Sequence, residues 1–138
     1  MPLLSRKGIL AIAAVIDVTL NGSERPVSAK HLAERHNLPP RHLEPVLQAL
    51  VRDGVLKGIR GPHGGYALAR DSRTITADDI LRAAGKAEDH DEPPFAESSL
   101  VRDVVRPALT LAEKAFSVAL SGVSVADLAA RAGSAASG

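Results

Sequence analysis

Apolar residues recur at three- and four-residue steps along most of the chain. Between Leu4 and Leu20 the positions Ile9, Leu10, Ala13, Ile16 and Leu20 keep that step, which predicts a helix. Asn21-Gly22 closes it, since both residues tolerate a left-handed cap. Ser28 opens a second helix with Leu32 and Ala33 inward, and His36-Asn37 stops it. Leu38-Pro39-Pro40 leads into a third, Arg41 to Asp53, striped by Leu43, Val46, Leu47 and Leu50 and ended by Gly54. Pro45 lies inside that helix, removes one backbone hydrogen bond and is expected to kink it near its start. Val55–Ile59 and Tyr66–Ala69 read as strands joined by the glycine turn Gly61–Gly65, a small hairpin. Thr76 then caps a fourth helix over about 77–84.

The second half has a different texture. Residues 85–97 form an acidic, proline-rich loop. From Ser98 or Ser99 a long helix runs to about Leu120, with Leu100, Val104, Ala108, Leu111, Ala115, Val118 and Ala119 in one stripe. Pro107 is expected to kink it. A short helix follows over Val125–Ala132, and 133–138 read as a disordered Gly/Ala/Ser tail. The expected architecture is mostly α. It is a winged helix-turn-helix over 1–84, with the helix-turn-helix at about 28–51 and a two-stranded β wing at about 55–69. The loop 85–97 joins it to a C-terminal unit over 98–132.

Composition narrows the chemistry. The 138 residues are 45% apolar and 24% charged, an ordinary globular balance. There is no cysteine, which removes disulfides, thiolate zinc sites, cysteine-held iron–sulfur clusters and cysteine nucleophiles together. No apolar run is long enough to cross a membrane, and the start Met1-Pro2-Leu3-Leu4-Ser5 carries no clear cleavage pattern. The expectation is a cytoplasmic protein with no membrane partner. The five histidines have no metal-ligand spacing, so no metal or other cofactor is expected. No serine-centred nucleophile turn or phosphate-binding loop is found, so no catalytic residue is assigned.

Charge is uneven. Residues 1–70 carry ten Lys/Arg against five acids, a balance of +5, whereas residues 71–138 carry seven against eleven, a balance of −4. A basic half suits a polyanion such as double-stranded DNA. In a helix-turn-helix the start of the second helix enters the major groove, which nominates Arg41 and His42, with Gln48 further along a similar face. Ser28 and Lys30 at the preceding helix start suit phosphate, as do Arg6 and Lys7. In the wing, Arg60, His63 and Gly64 form a thin loop that fits the narrow minor groove. Asn37 takes the corner of the helix-turn-helix, where a residue must accept positive φ.

The run Leu47 to Arg70, with Arg60-Gly61-Pro62-His63-Gly64-Gly65-Tyr66 at its centre, resembles the signature of Rrf2-type bacterial transcriptional regulators. Leu4-Ser5-Arg6-Lys7-Gly8, Val27-Ser28, His42-Leu43-Glu44 and Ile75-Thr76-Ala77-Asp78-Asp79-Ile80 agree with it, and the resemblance covers about residues 1–130. It implies a homodimer, each subunit carrying a winged helix-turn-helix and a long dimerisation helix. Leu100, Val104, Leu111, Ala115 and Val118 would form that interface. A two-fold dimer implies an approximately palindromic operator, and the reading is a repressor with no effector specified. Many such regulators hold an iron–sulfur cluster through three cysteines in the loop before the long helix. This chain has none there, and His90 among its acids reads as a solvated side chain. The competing reading is a protein-interaction module built on the winged-helix scaffold.

Overall fold

The computed structural model describes residues 6–22, 25–37, 40–86 and 98–137. The helices are α1 (Arg6–Asn21), α2 (Ala29–Arg35), α3 (Pro40–Arg52), α4 (Ala77–Gly85), α5 (Arg106–Leu120) and α6 (Val125–Ser137). Strands β1 (Leu56–Ile59) and β2 (Gly65–Leu68) pair antiparallel between α3 and α4 in the register Leu56↔Leu68 to Ile59↔Gly65. The predicted stretches at 1–5, 38–39 and 87–97, which include most of the acidic loop and His90, lie outside the described residues.

Local rules explain the element ends. The Ser28 side chain accepts from the His31 amide at 3.1 Å and starts α2. Thr76 and Asp79 exchange side-chain and backbone hydrogen bonds, a full capping box at the head of α4. At the end of α3, Val55 N donates to Leu50 O at 2.9 Å and Gly54 N to Val51 O at 3.1 Å. Gly54 has φ +77°, so the helix closes in a Schellman motif that glycine suits best. Helix α3 continues through Pro45. The lost bond belongs to the Arg41 carbonyl in the exposed first turn, where water can replace it.

One core holds the body together. Leu32, Leu43, Leu47, Leu50, Leu56, Ile75 and Ile80 are fully buried with Val15, Val18, Val46 and Val55. Ala33 is buried beside them, small where α2 meets α3. Val125 of α6 is equally buried, and α6 packs on α1. Val125 N donates to Ile75 O and Ala77 N to Val123 O, both at 2.8 Å. The grouping of this helix with the long one therefore needs correction: α6 returns to the N-terminal body. The disordered tail needs correction too, because α6 runs on to Ser137. Ala132, Ala135 and Ala136 favour helix strongly enough to carry it past Gly133.

The long helix is not uniform. A π-helical stretch, Val101–Val105, precedes α5. Pro107 has no N–H for the Asp103 carbonyl and its ring crowds that oxygen, so the backbone widens one turn earlier. No residue of α5 is buried; Leu111 is 72% exposed and Val118 67%.

A buried carboxylate ties α1 to α2. Asp17 is buried and accepts from Arg35 Nε at 2.9 Å and Nη2 at 2.8 Å, in bidentate fashion. His36 Nε2 lies 3.0 Å from Asp17 Oδ2, and Asn21 Nδ2 donates to Oδ1 at 3.1 Å. Arg35→Met keeps the aliphatic stem but removes both charge-assisted bonds. It should lower unfolding stability by about 1–3 kcal/mol in urea titration. An unchanged midpoint would show that the clasp is ornamental.

Candidate nucleic-acid interface

The helix-turn-helix corner forms as its residues dictate. Asn37, with φ +54°, is the one non-glycine residue of positive φ among the described residues. It follows His36, whose amide caps α2 by donating to Leu32 O and Glu34 O. The Asp17 clasp holds Arg35 and His36 immediately before it, so the departure angle of the chain into α3 is fixed from the core side. Helix α3 then buries Leu43, Val46, Leu47 and Leu50 and turns Arg41, His42 and Gln48 to solvent. Arg41 and Gln48 lie seven residues, about two turns, apart on one stripe, and His42 stands beside them.

The wing is anchored to the helix-turn-helix by backbone. Val27 N donates to Tyr66 O at 2.9 Å and Tyr66 N to Val27 O at 2.8 Å, adding a one-residue rung to the hairpin just before α2. A Cβ on Gly65 would sit 2.5 Å from the Val27 carbonyl and 2.8 Å from Ser28 N, so only glycine allows this approach. The loop Arg60–Gly64 is tightened by Gly64 N donating to Gly61 O at 2.9 Å. Gly61 has φ +118°, and a Cβ on Gly64 would lie 2.1 Å from Ile59 O. Arg60 and His63 are exposed on this loop and Gly64 is half-buried within it.

The remaining nominated residues divide. Ser28 is spent partly on capping α2 and sits beside the wing anchor, while Lys30 is exposed two residues later. Arg6 is exposed and Lys7 half-buried at the start of α1, on a helix that packs against α3 and β2. Three parts therefore converge: the α2 start, the outer face of α3 and the wing. Arg6 and Lys7, at the head of α1, belong to none of the three.

Two features escaped the sequence reading. The Asp17 clasp joins residues 18 and 19 positions apart, beyond any local pattern. Glu44 is exposed on the same stripe as Arg41 and Gln48. A search for cations passes over an acid, although an acid can accept from cytosine N4 in the major groove. Burial, and secondarily the Glu44 carboxylate, push the Tyr66 phenol above its usual range. Further along, the Arg73 guanidinium and amide hold the exposed Asp71 carboxyl down to about 2.

A recognition helix behind a left-handed corner, flanked by a hairpin pinned to it, defines a winged helix-turn-helix protein. The chain belongs to the Rrf2 family: residues 4–131 match the family model, described as iron-dependent transcriptional regulators. An HTH-type transcriptional regulator of Haemophilus influenzae is 37% identical over 83 residues, 60% of this chain and 55% of its own. The HTH-type transcriptional regulator IscR of Escherichia coli is 33% identical over 86 residues, 62% of this chain and 53% of its own. The chain thus spans about half the length of these curated relatives. Among solved structures, IscR of T. potens superposes with a TM-score of 0.71 at 31% identity, covering 94% of this chain and 87% of that one. CymR, the global cysteine regulator of B. subtilis, gives 0.70 at 27% identity, covering 95% and 98%.

The chain offers no cysteine thiolate to the iron of the family description. Among the described residues no three His, Asp or Glu side chains gather where a metal could sit. Among them, too, no helix is long and apolar enough to cross a membrane.

Tyr66 is the single tyrosine and there is no tryptophan, so tyrosinate absorbance reports this site alone. Glu44→Gln should lower the Tyr66 pKa without restoring the free-phenol value, since burial is the larger cause. An unshifted ultraviolet titration would separate Glu44 from the wing.

Proposed function

We propose that the chain is a sequence-specific DNA-binding regulator that works as a homodimer on an approximately palindromic operator and represses by occupying a promoter. The observation that carries this reading is the backbone rung between Val27 and Tyr66, which fixes the Arg60 loop relative to the exposed face of α3. A groove-reading helix and a thin arginine-bearing loop held in one rigid frame suit the major groove and the neighbouring minor groove. Arg41 and His42 face base edges, with Gln48 behind them. Ser28 and Lys30 contact phosphate, and Arg6 and Lys7 supply further positive charge to the flank. Arg60, His63 and Gly64 approach the minor groove.

The reading head spans 1–84 together with α6, and α5 supplies the seam. Leu100, Val104, Leu111, Ala115 and Val118 are exposed along 98–120. So many apolar side chains along one helix favour a second copy of the chain. Two reading heads related by a two-fold axis then require two half-sites. Relatives named as transcriptional regulators support the reading.

In mobility-shift assays with promoter fragments, Arg41→Ala and Arg60→Ala should each weaken the specific complex by about 1–3 kcal/mol. Binding of both variants at wild-type strength would overturn the assignment. Salt-independent capture of a protein, with no retained DNA, would favour the interaction module instead. Leu111→Asp should convert the dimer to a monomer in light scattering and abolish tight operator binding. A dimer that survives this change would move the seam elsewhere.

A further inference from the structure

Helix α5 buries no residue of its own, so close packing does little to set its angle against the reading head. A groove of about 1060 Å³ opens between α4 and α5, with Leu81 in one wall and Thr110 and Phe116 in the other. Attachment is strongest where α5 ends. There the chain turns back beside the segment that leads into α4. Ala77 N donates to Val123 O and Val125 N to Ile75 O, both at 2.8 Å, and Thr76 forms a bridge with Ser124. These rungs set where α5 stops but not its tilt, because the turn at Ser121 and Gly122 lies between them and the helix.

The tilt is addressed one turn earlier. The Ser117 hydroxyl donates to Oδ1 of Asp78, a residue in the first turn of α4. Arg82, one turn further along α4, places Nη2 2.9 Å from Oδ2 of the same carboxylate and 3.4 Å from Ser117 Oγ. The Asp78 carboxylate is buried, so it has to be satisfied where it lies. Hydrogen bonds weaken steeply when bent, whereas apolar surfaces can slide past one another. A second attachment one turn from the first converts a pivot into a fixed angle. The angle matters because α5 is a lever. At 1.5 Å per residue, Leu100 lies about 25 Å along the helical run from Ser117, so a tilt of about 10° carries it about 4 Å. One base pair rises about 3.4 Å.

We propose that Ser117, Asp78 and Arg82 are positioning residues that set the angle between each reading head and α5, and through it the spacing of half-sites that a pair of heads accepts. This rests on the reading of the chain as a two-fold DNA-binding protein. Two heads joined through paired α5 helices reach two half-sites only at the separation that the joints dictate. Arg82 keeps the carboxylate in place, and Ser117 ties the lever to it.

The test uses the full chain on operators that the wild type selects from a random DNA pool, rebuilt with spacers one and two base pairs shorter or longer. Ser117→Ala should reduce the preference for the selected spacing about fivefold or more, while affinity at that spacing falls less than about threefold. Ser117→Thr keeps the hydroxyl and should keep the wild-type preference. A Ser117→Ala protein that retains the preference, or that loses affinity equally at every spacing, overturns the proposal. A second readout needs no DNA. Spin labels at Arg52→Cys on the head and Ala112→Cys on α5, both exposed positions in a chain without other cysteines, report the angle within one subunit when labelled protein is diluted into unlabelled. The distance distribution should be narrow for wild type and Ser117→Thr and broad for Ser117→Ala. Equal distributions overturn the proposal whether or not DNA binds. If the wild type selects no DNA while the Ser117→Ala distribution broadens, the DNA reading fails and the joint stands as the device that orients α5.

Discussion

The buried Asp17 carboxylate is the constraint on which the rest of the fold turns. It is one of two buried charged side chains among the described residues, and it is held by Arg35, His36 and Asn21. A charge withdrawn from water is tolerable only with such partners, and losing one leaves the desolvation unopposed. Because Arg35 and His36 come from the end of α2, satisfying the charge also fixes where α2 stops. Asn37 then turns through its left-handed conformation, and α3 leaves in a set direction with its polar face outward. A solvation requirement in the core thereby becomes the orientation of a surface helix.

The wing depends on a second constraint of the same kind. Val27 and Tyr66 satisfy each other's backbone groups, and Gly65 admits the approach because it has no side chain. Without that rung a two-stranded hairpin would be a marginal structure on its own. With it, α2, α3 and the wing form one frame, and the Tyr66 phenol in it is pushed up first by burial and second by the Glu44 carboxylate. Helix α5 stands apart from this frame and touches it through Ser117, Asp78 and Arg82.

Most of the fold was legible in sequence because its signals are local. Ser28, Thr76, Asn37 and Gly54 each act within one turn of a helix end, and the structure places the ends of α2, α3 and α4 beside them. The Leu43, Val46, Leu47 and Leu50 stripe reports a buried face directly. What escaped depends on tertiary structure. The partners of Asp17 and the rung to Val27 join residues far apart in the chain. The return of α6 to α1 was hidden because an alanine-rich amphipathic helix carries no address. Pro45 and Pro107 look alike in sequence but act differently. Pro45 takes a partner only from a carbonyl of the exposed first turn, whereas Pro107 follows a turn that widens to a π-helix. Of the site, the exposed positions of Arg41, His42 and Gln48 follow from helical periodicity, and those of Arg60 and His63 from the glycine turn that carries them. Glu44 carries no such signal, because a polyanionic partner points to cations.

We propose that α3 and the wing address adjacent grooves of one duplex. A chain without cysteine allows a clean measurement: a DNA-cleaving iron chelate tethered through Pro62→Cys, and separately through Gln48→Cys, mapped on a bound promoter fragment. Cuts are expected in the minor groove from the wing tether and in the neighbouring major groove from the helix tether, each repeated across a two-fold axis. Equal cutting from a tether at exposed Ala130 on α6, or none from either of the first two, would contradict it.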